Sequence, residues 1–374
     1  MIYNFKIIVC FLFPFWFLVN KEDNRTQLKT IEHTLVISHP GEKSLVETVL
    51  TEVQNQAGLP VEYYMDVRSV ICLEEVCKVI PVRLFWDNIG QYTKYELDEG
   101  ATLEKYEADV FAPEDYYKLH TILSNTASPF KKVFIEDILT VPDELSEDID
   151  AVSGATALEL DEKDTVPGAA LTCFTLWHWA NGNVIANIKT ITGLVSKEHL
   201  FNFLFNQEDD TYFNIAVKSL KSRKLYAPKY TTAVYNRLLD NEKLLKTGLL
   251  YLESAPLDVY LSTLHQLIVN GNKEQKLAVI RSLNTSSQSI PKSFLDGVSK
   301  EFSNLKSFHE VSILLELMQT KNTGSATVIK QVMPLLNGNF IAARRVYWFL
   351  KTEKLNDTQT KLVQDFYKAH KDRL

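Results

Sequence analysis

The chain has 374 residues and a net charge of −7, with 45% hydrophobic and 23% charged residues. This composition is ordinary for a folded protein, so it excludes a disordered chain, and the length allows two domains with substantial cores. The negative charge and the lack of a basic stripe interleaved with aromatic residues argue against nucleic acid as a partner.

The first 22 residues have the pattern of an export signal. Lys6 precedes the apolar run Ile7–Val19, and charged residues begin again at Lys21. The run is too short for a comfortable transmembrane helix, so we predict export to the periplasm or another extracytoplasmic space. Because no small-residue cleavage site follows, an uncleaved signal anchor with membrane attachment is one alternative, and a buried N-terminal helix is the other.

Residues 23–195 mix strand and helix patterns, which predicts an α+β domain. Apolar spacing in Lys43–Gln56 predicts a helix, and Pro113 opens a second helix through Leu123. The predicted strands are Leu35–Ile37, Tyr63–Cys72, Cys77–Trp86 and Gln91–Leu97. The second and third strands form a hairpin, and the mixture favours a sheet with helices on one face.

Cys72 and Cys77 flank the loop of the predicted hairpin. In an exported protein they can face each other across the strand pair at a separation that suits a disulfide, which we favour. In a reducing compartment both would be small core residues. A metal site is disfavoured, because two thiols need further ligands and no nearby histidine pair supplies them at zinc-like spacing.

The stretch Asp150–Thr156 is the only segment whose residue types and spacing point to specific chemistry. Ser153, Gly154 and Ala155 are small enough for the backbone to pass close to a bulky ligand, and exposed N–H groups in such a turn suit phosphate oxygens. Thr156 presents a hydroxyl beside them. The surrounding sequence is rich in acidic residues, which is typical of a solvated loop.

This stretch resembles the flavinylation motif Asp-x-x-Ser/Thr-Gly-Ala-Thr of the FMN-binding domains in the sodium-pumping NADH:quinone oxidoreductase and the Rnf complex. The resemblance implies FMN joined to Thr156 through a phosphoester bond, which a separate flavin transferase makes from FAD, and it implies electron transfer by that FMN. Asp150 would orient the turn or be read by the transferase. The sequence departs from the family's pattern at Ala157–Asp164, where apolar and acidic residues alternate in place of a helix. The alternative is a structural turn in which Asp150 or Ser153 bonds nearby backbone amides.

Two helices are predicted before residue 195. Pro167 opens the first, which ends at Asn181-Gly182, and the second covers Val184–Thr192. The first contains Trp177-His178-Trp179, and aromatic residues can wall a flavin ring. Two indoles at this spacing point in different directions on a helix, so we favour a core role. Cys173 near His178 is not predicted to act as a nucleophile.

Residues 196–374 are predicted to be helical throughout, with short breaks such as Ala255-Pro256. The predicted helices are Lys197–Phe205, Tyr212–Lys224, Lys229–Leu239, Asn241–Glu253, Leu257–Val269, Lys273–Leu283, Lys292–Leu305, Phe308–Gln319, Gly324–Leu336, Phe340–Leu350 and Asp357–His370. Their lengths suit antiparallel pairs stacked like HEAT or armadillo repeats. A compact bundle is the alternative, because its apolar stripes look the same.

The sequence as a whole therefore predicts an exported two-domain protein. The favoured function is electron transfer by covalent FMN on Thr156, with the helical array docking onto a redox or scaffold partner. The alternative is a non-enzymatic exported scaffold whose domains only bind other proteins. A hydrolase is disfavoured, since no nucleophile arrangement can be recognised.

Overall fold

The computed structural model describes residues 28–70, 79–105, 109–135, 138, 162–194, 198–305 and 307–374. Within these residues a five-stranded antiparallel sheet is followed by a helix-rich region. The predicted order of an α+β part and an all-α part is confirmed at this level. No helix in the described part of the chain is long and apolar enough to cross a membrane.

The sheet is a meander in which each strand pairs with the next one along the chain. The strands are β1 (Lys29–Ile37), β2 (Val46–Gln54), β3 (Pro60–Arg68), β4 (Pro81–Asp87) and β5 (Tyr92–Leu97). All four pairings are antiparallel. The predicted pairing of the two strands around the hairpin is therefore confirmed for β3 and β4, while the loop residues 71–78 lie outside the described residues.

The helix predicted over Lys43–Gln56 is wrong, because Val46–Gln54 forms strand β2. The apolar residues of this segment fit a helical spacing, which led to the prediction. In the sheet, the four residues from Leu50 to Val53 are all buried. A strand that is buried on both faces does not show the alternation of apolar and polar residues by which strands are recognised.

Helices cover one face of the sheet. They are α1 (Pro113–Ser124) and α2 (Ala170–Asn181), followed along the chain by α3 (Val184–Gly193). The side chains of Leu50, Tyr63, Leu84 and Trp86 point to this face and are fully buried in a core shared with α1 and α2. Trp86 Nε1 also donates a hydrogen bond to the Ala180 carbonyl at 2.8 Å, which fixes α2 on the sheet.

The region after α3 consists of the helices that the sequence predicts, with ends that differ by at most four residues except at Lys292–Leu305. There the α-helix ends at Val298 and a short 3-10 helix, Ser299–Ser303, follows. The α-helices are α4 (Glu198–Phe205), α5 (Asp210–Ser222), α6 (Pro228–Asp240), α7 (Leu245–Glu253), α8 (Leu257–Asn270), α9 (Lys273–Thr285), α10 (Lys292–Val298), α11 (Phe308–Lys321), α12 (Ala326–Val332), α13 (Phe340–Leu350) and α14 (Asp357–His370). Side-chain caps stabilise several of them; for example, Ser307 and Glu310 form a capping box at the start of α11.

These helices are arranged in two layers. Helices α3, α5, α7, α9, α11 and α13 contact one another in series and form one layer. Helices α4, α6 and α8 contact one another in series in the other layer. We call the first the front layer, and we call the exposed side chains of α5, α7, α9, α11 and α13 the front face. Stacking of this kind gives a continuous surface built from many short helices.

The sheet and the helical array meet at the turn between β4 and β5. Ile89 in this turn packs into the core of the array. The Asn88 carbonyl accepts a hydrogen bond from Thr192 Oγ1 at 2.7 Å, and its Oδ1 accepts one from the Tyr212 hydroxyl at 2.7 Å. Asn88 Nδ2 donates to the Pro60 carbonyl at 3.0 Å. The turn therefore connects β3 with α3 and α5.

A fragment of residues 196–374 is expected to fold by itself, because the array has its own core and its contacts run mainly between neighbouring helices. The fragment should show helical circular dichroism and cooperative unfolding in urea. A longer fragment starting at Val184 retains α3 on α5 and should be more stable by about 1–3 kcal/mol. If the 196–374 fragment shows no helical structure, the predicted domain boundary near residue 195 would be contradicted.

Candidate functional site

Three of the sequence predictions fall on residues that the structure does not describe. The FMN-binding residues Asp150, Ser153, Gly154, Ala155 and Thr156 lie in 139–161, the cysteines Cys72 and Cys77 lie in 71–78, and the export signal lies in 1–27. Flavin attachment, the disulfide and export therefore stay predictions. Chemistry in the described part must be assessed from other residues.

The indoles of Trp177 and Trp179 on α2 belong to the core of the α+β part. They are 3% and 5% exposed. Trp177 Nε1 donates a hydrogen bond to the Asn125 carbonyl at 2.9 Å. The core role predicted for these aromatic residues is confirmed.

A pair of histidines lies beside these indoles, with His39 buried and His178 half-buried. His39 follows β1, and its Nδ1 accepts a hydrogen bond from the Gly41 amide at 3.1 Å. Its Nε2 therefore carries the proton, which it donates to the Thr175 carbonyl at 3.0 Å. Burial lowers the pKa of His39, and the bond to Thr175 offsets this only in part. Both ring nitrogens are satisfied in the neutral form, so His39 fastens the β1–β2 connection to α2.

His178 is the second member of the pair. Its ring centroid lies 5.8 Å from that of His39 and 4.4 Å from that of Phe174. Burial, followed by the proximity of His39, lowers the pKa of His178 to about 4. Its Nε2 is buried and has no hydrogen-bond partner among the described residues, as is also true of Thr175 Oγ1 and Trp179 Nε1. A neutral imidazole in this setting is part of the packing and a poor proton carrier at neutral pH.

Cys173 lies on the same helix, and its thiol is buried and unpaired. The Val166 amide donates to its Sγ at 3.4 Å. Burial is the largest influence on this thiol and raises its pKa to about 11. The thiol is therefore protonated at neutral pH and is not an activated nucleophile. None of His39, His178 and Cys173 is therefore poised to act as an acid, a base or a nucleophile.

The front layer contains a groove of about 550 Å³ between α7 and α9. Its lining includes Leu245 and Leu249, which are buried, together with Leu250, which is 49% exposed. On the α9 side the small Ala278 lines the groove. The side chains of Leu245, Leu249 and Leu250 give it an apolar floor and one apolar rim. An exposed apolar depression of this kind is typical of a binding surface.

Hydrogen bonds hold the two ends of the groove together. At one end, Asn272 before α9 donates from Nδ2 to Glu242 Oε1 before α7 at 2.8 Å. At the other end, Gln288 after α9 donates from Nε2 to the carbonyls of Glu253 and Ala255. The helices are fixed at both ends, so the groove between them is a property of the packed array.

Other neighbours in the front layer are bridged across their surface. Lys221 on α5 donates to the Leu250 carbonyl on α7 at 3.5 Å. Arg281 on α9 donates to His309 Nε2 on α11 at 3.2 Å. Arg345 on α13 donates to Gln319 Oε1 on α11 at 2.6 Å. The described residues show no such bridge across the middle of the α7–α9 interval, where the groove lies.

Cations outnumber anions on the front face, whereas the groove lining itself carries three of each. The exposed basic residues of the front face are Lys218, Lys221, Lys246, Lys273, Arg281 and Arg344, and its exposed acidic residues are Glu274 and Glu316. The charged residues that line the groove are Lys243, Lys246 and Arg281 together with Glu242, Glu253 and Glu274. Lys243 and Lys246 on the α7 rim are exposed, and within the described residues neither makes an ion pair. This positive surface belongs to a chain of net charge −7, so its charge is a local property.

No protein-family model, curated protein or solved structure matches this chain. The groove is the feature that sequence reasoning missed. The apolar residues of α7 fit the same helical stripe whether they are buried by a neighbour or line an open groove. The signal present in the sequence is Leu250, an apolar residue next to the basic positions Lys243 and Lys246.

Proposed function

We propose that this chain is a non-enzymatic binding scaffold whose HEAT-like helical array docks a partner protein on its front face. The observation that carries the proposal is the apolar groove between α7 and α9, within a layer whose other neighbours are bridged by polar side chains. The α+β part supports the array through Asn88 and Ile89. Export, as predicted from the N-terminus, would place this scaffold outside the cytoplasm.

The order of helix contacts supports a HEAT-like array over a compact bundle. Each helix of the front layer contacts the helix two positions further along the chain, as stacked helix pairs do. In such arrays each unit contacts only its neighbours, so one layer forms an extended surface. Extended surfaces of this kind are used for protein binding.

Site-specific cross-linking tests the docking proposal. A photoreactive phenylalanine analogue replaces Leu250, which is 49% exposed on the front face, or Val269, which is 61% exposed on α8 in the other layer. Irradiation in the native host should give a discrete adduct from position 250 and none from position 269. The captured protein is then identified, purified and mixed with the pure chain.

Direct binding of the purified pair should be weakened at least about tenfold by Leu250→Asp, since a charge in an apolar contact stays unpaired. Val269→Asp is the matched control and should leave the affinity unchanged. Equal adducts from both positions, or a purified protein that does not bind, would contradict a docking role for the front face.

Covalent FMN on Thr156 is the second candidate function, and the sequence Asp150–Thr156 is the observation that favours it. When attached, FMN would supply one- and two-electron redox chemistry, and the protein would supply its position. The two candidates are compatible, because a docking array can hold a flavin-bearing domain close to its redox partner. The residues of the motif lie outside the described part of the chain, so the support is the sequence alone.

A further inference from the structure

We infer that the partner presents an amphipathic helix to the α7–α9 groove, with apolar side chains entering the groove and acidic residues on its flanks. This inference rests on the proposed docking function and specifies its partner.

The shape of the groove fits a short helix. Its rims carry exposed residues from one end to the other, at Lys243, Lys246 and Leu250 on the α7 side and at Glu274 and Arg281 on the α9 side. The groove is therefore open to solvent along its length. The nine residues of α7 span about 13 Å, which is the length of two to three turns of a helix laid alongside. An extended, open and apolar cleft is how proteins receive an amphipathic helix.

Ala278 is the residue that leaves room in this groove. It lies in the middle of α9, one turn before Arg281 and one turn after Glu274, and its side chain is half-buried in the lining. A larger side chain at this position would occupy the space beside Leu249 and Leu250. Because the position is partly open to solvent, a larger side chain can be accommodated without disturbing the core.

The charges on the front face favour a partner helix that has acidic residues on its flanks. Lys243 and Lys246 make no ion pair within the described residues, and Arg281 faces only the imidazole of His309. The lining also carries Glu253 and Glu274, as well as Glu242, which accepts a hydrogen bond from Asn272. The excess positive charge comes from the front face around the groove, where Lys218, Lys221 and Arg344 are exposed. A partner with carboxylates beside its apolar stripe therefore finds unpaired cations on both rims. Such pairs favour the correct partner and increase its rate of association.

The test uses two synthetic peptides of about 14 residues, a length of roughly four helical turns. Both carry leucine on one face with spacings of three and four residues. One has glutamate at the flanking positions, and the other has lysine at the same positions. Fluorescence anisotropy measures their binding to the full chain. The glutamate peptide should bind at least about tenfold more tightly, and its affinity should fall as salt is raised.

Three variants separate the contributions of shape and charge. Ala278→Phe fills the groove without changing charge and should weaken binding of the glutamate peptide at least about tenfold. Lys246→Glu should weaken it about fivefold to tenfold and reduce its salt dependence. The control is Lys330→Glu, an exposed position on α12 outside the front layer, which should leave binding unchanged.

The inference is overturned if the two peptides bind equally, if Ala278→Phe binds as well as the native chain, or if neither peptide binds. Self-association of the chain that Ala278→Phe abolishes would also overturn it, because the occupant would then be a second copy. Failure of the peptides, together with a specific partner captured at position 250, would refute the acidic helix and leave the docking function standing. Peptide binding without a captured partner would support the preference of the groove for an acidic helix and would count against docking of a native partner.

Discussion

Lowering the pH from 7 to 5 is expected to destabilise the α+β part by on the order of 1–2 kcal/mol through His178. The pKa of this ring is lowered from 6.5 to about 4, chiefly because it is buried. In the unfolded chain the ring takes up a proton near pH 6.5, while in the folded chain it stays neutral until about pH 4. The unfolded state therefore binds more protons between these values, and the free energy of unfolding falls as the pH falls.

The size of this effect follows from the shift. Each pKa unit corresponds to about 1.4 kcal/mol, and the interval from pH 6.5 to pH 5 would give about 2 kcal/mol for a fully shielded ring. The ring of His178 is half-buried, so solvent screening reduces the figure. The pKa of His39 is lowered too, which acts in the same direction. Above pH 6.5 the ring of His178 is neutral in both the folded and the unfolded chain, so this loss of stability is absent.

Urea unfolding followed by tryptophan fluorescence at pH 7, 6 and 5 measures the effect. His178→Phe keeps a ring beside Phe174 and removes the titrating group, so its free energy of unfolding should depend less steeply on pH. The matched control is His265→Gln, because His265 is exposed on α8. If the native chain and His178→Phe lose stability equally between pH 7 and 5, the imidazole is not responsible.

Most of the helical array could be predicted from the sequence, because its signals are local. Caps, breaks and apolar stripes define each helix within a few residues of its own ends. Asn272, for example, caps α9 with Gln275 in a capping box, and Asn270-Gly271-Asn272 separates α9 from α8. Even Phe340–Leu350, rich in aromatic and β-branched residues, was predicted with its observed bounds.

Strand β2 is the element whose type could not be recognised from the sequence pattern. Its segment has apolar residues at a helical spacing, while Leu50 to Val53 are buried without alternation. Two hydrogen bonds that involve Glu52, with His33 on β1 and Gln54, satisfy a carboxylate that would otherwise indicate an exposed position. The β-branched residues Val46, Thr48, Val49, Thr51 and Val53 were the signal in favour of a strand.

The candidate sites depend on distances that no local pattern contains. His39 meets α2 across 136 positions of the chain, at the Thr175 carbonyl. The groove depends on the gap between α7 and α9 and on the small size of Ala278. A sequence specifies these features only through the packing of whole elements, so neither the histidine pair nor the groove was predicted.

The largest effect is expected at Thr156, because the proposed flavin attachment depends on this one hydroxyl. In the presence of a flavin transferase and FAD, the Thr156 oxygen would attack the phosphorus on the FMN side of the pyrophosphate. The new phosphoester forms as the pyrophosphate bond breaks, and AMP leaves. A threonine hydroxyl is a weak nucleophile unaided, so the transferase must activate it. Thr156→Ala removes the attacking atom and should abolish attachment completely.

Coexpression with a transferase, denaturing electrophoresis and intact mass measurement test this prediction. The native chain should give a fluorescent band that survives denaturation and should gain the mass of one attached FMN. Thr190→Ala is the matched control, because Thr190 is an exposed hydroxyl on α3 and its loss should leave the band unchanged. Circular dichroism of Thr156→Ala should match that of the native chain.

Whether Thr156 carries flavin decides which kind of partner the front face binds. A flavinylated chain would bring an electron carrier to the protein docked at α7 and α9. The partner would then be an electron donor or acceptor. Leu250→Asp should slow electron transfer to or from it without removing flavin. An unmodified native chain, beside a transferase that modifies a control substrate, would show that Asp150–Thr156 is only a turn. The apolar groove would then remain as a binding site on a scaffold with no redox role, and Leu250→Asp would affect assembly alone.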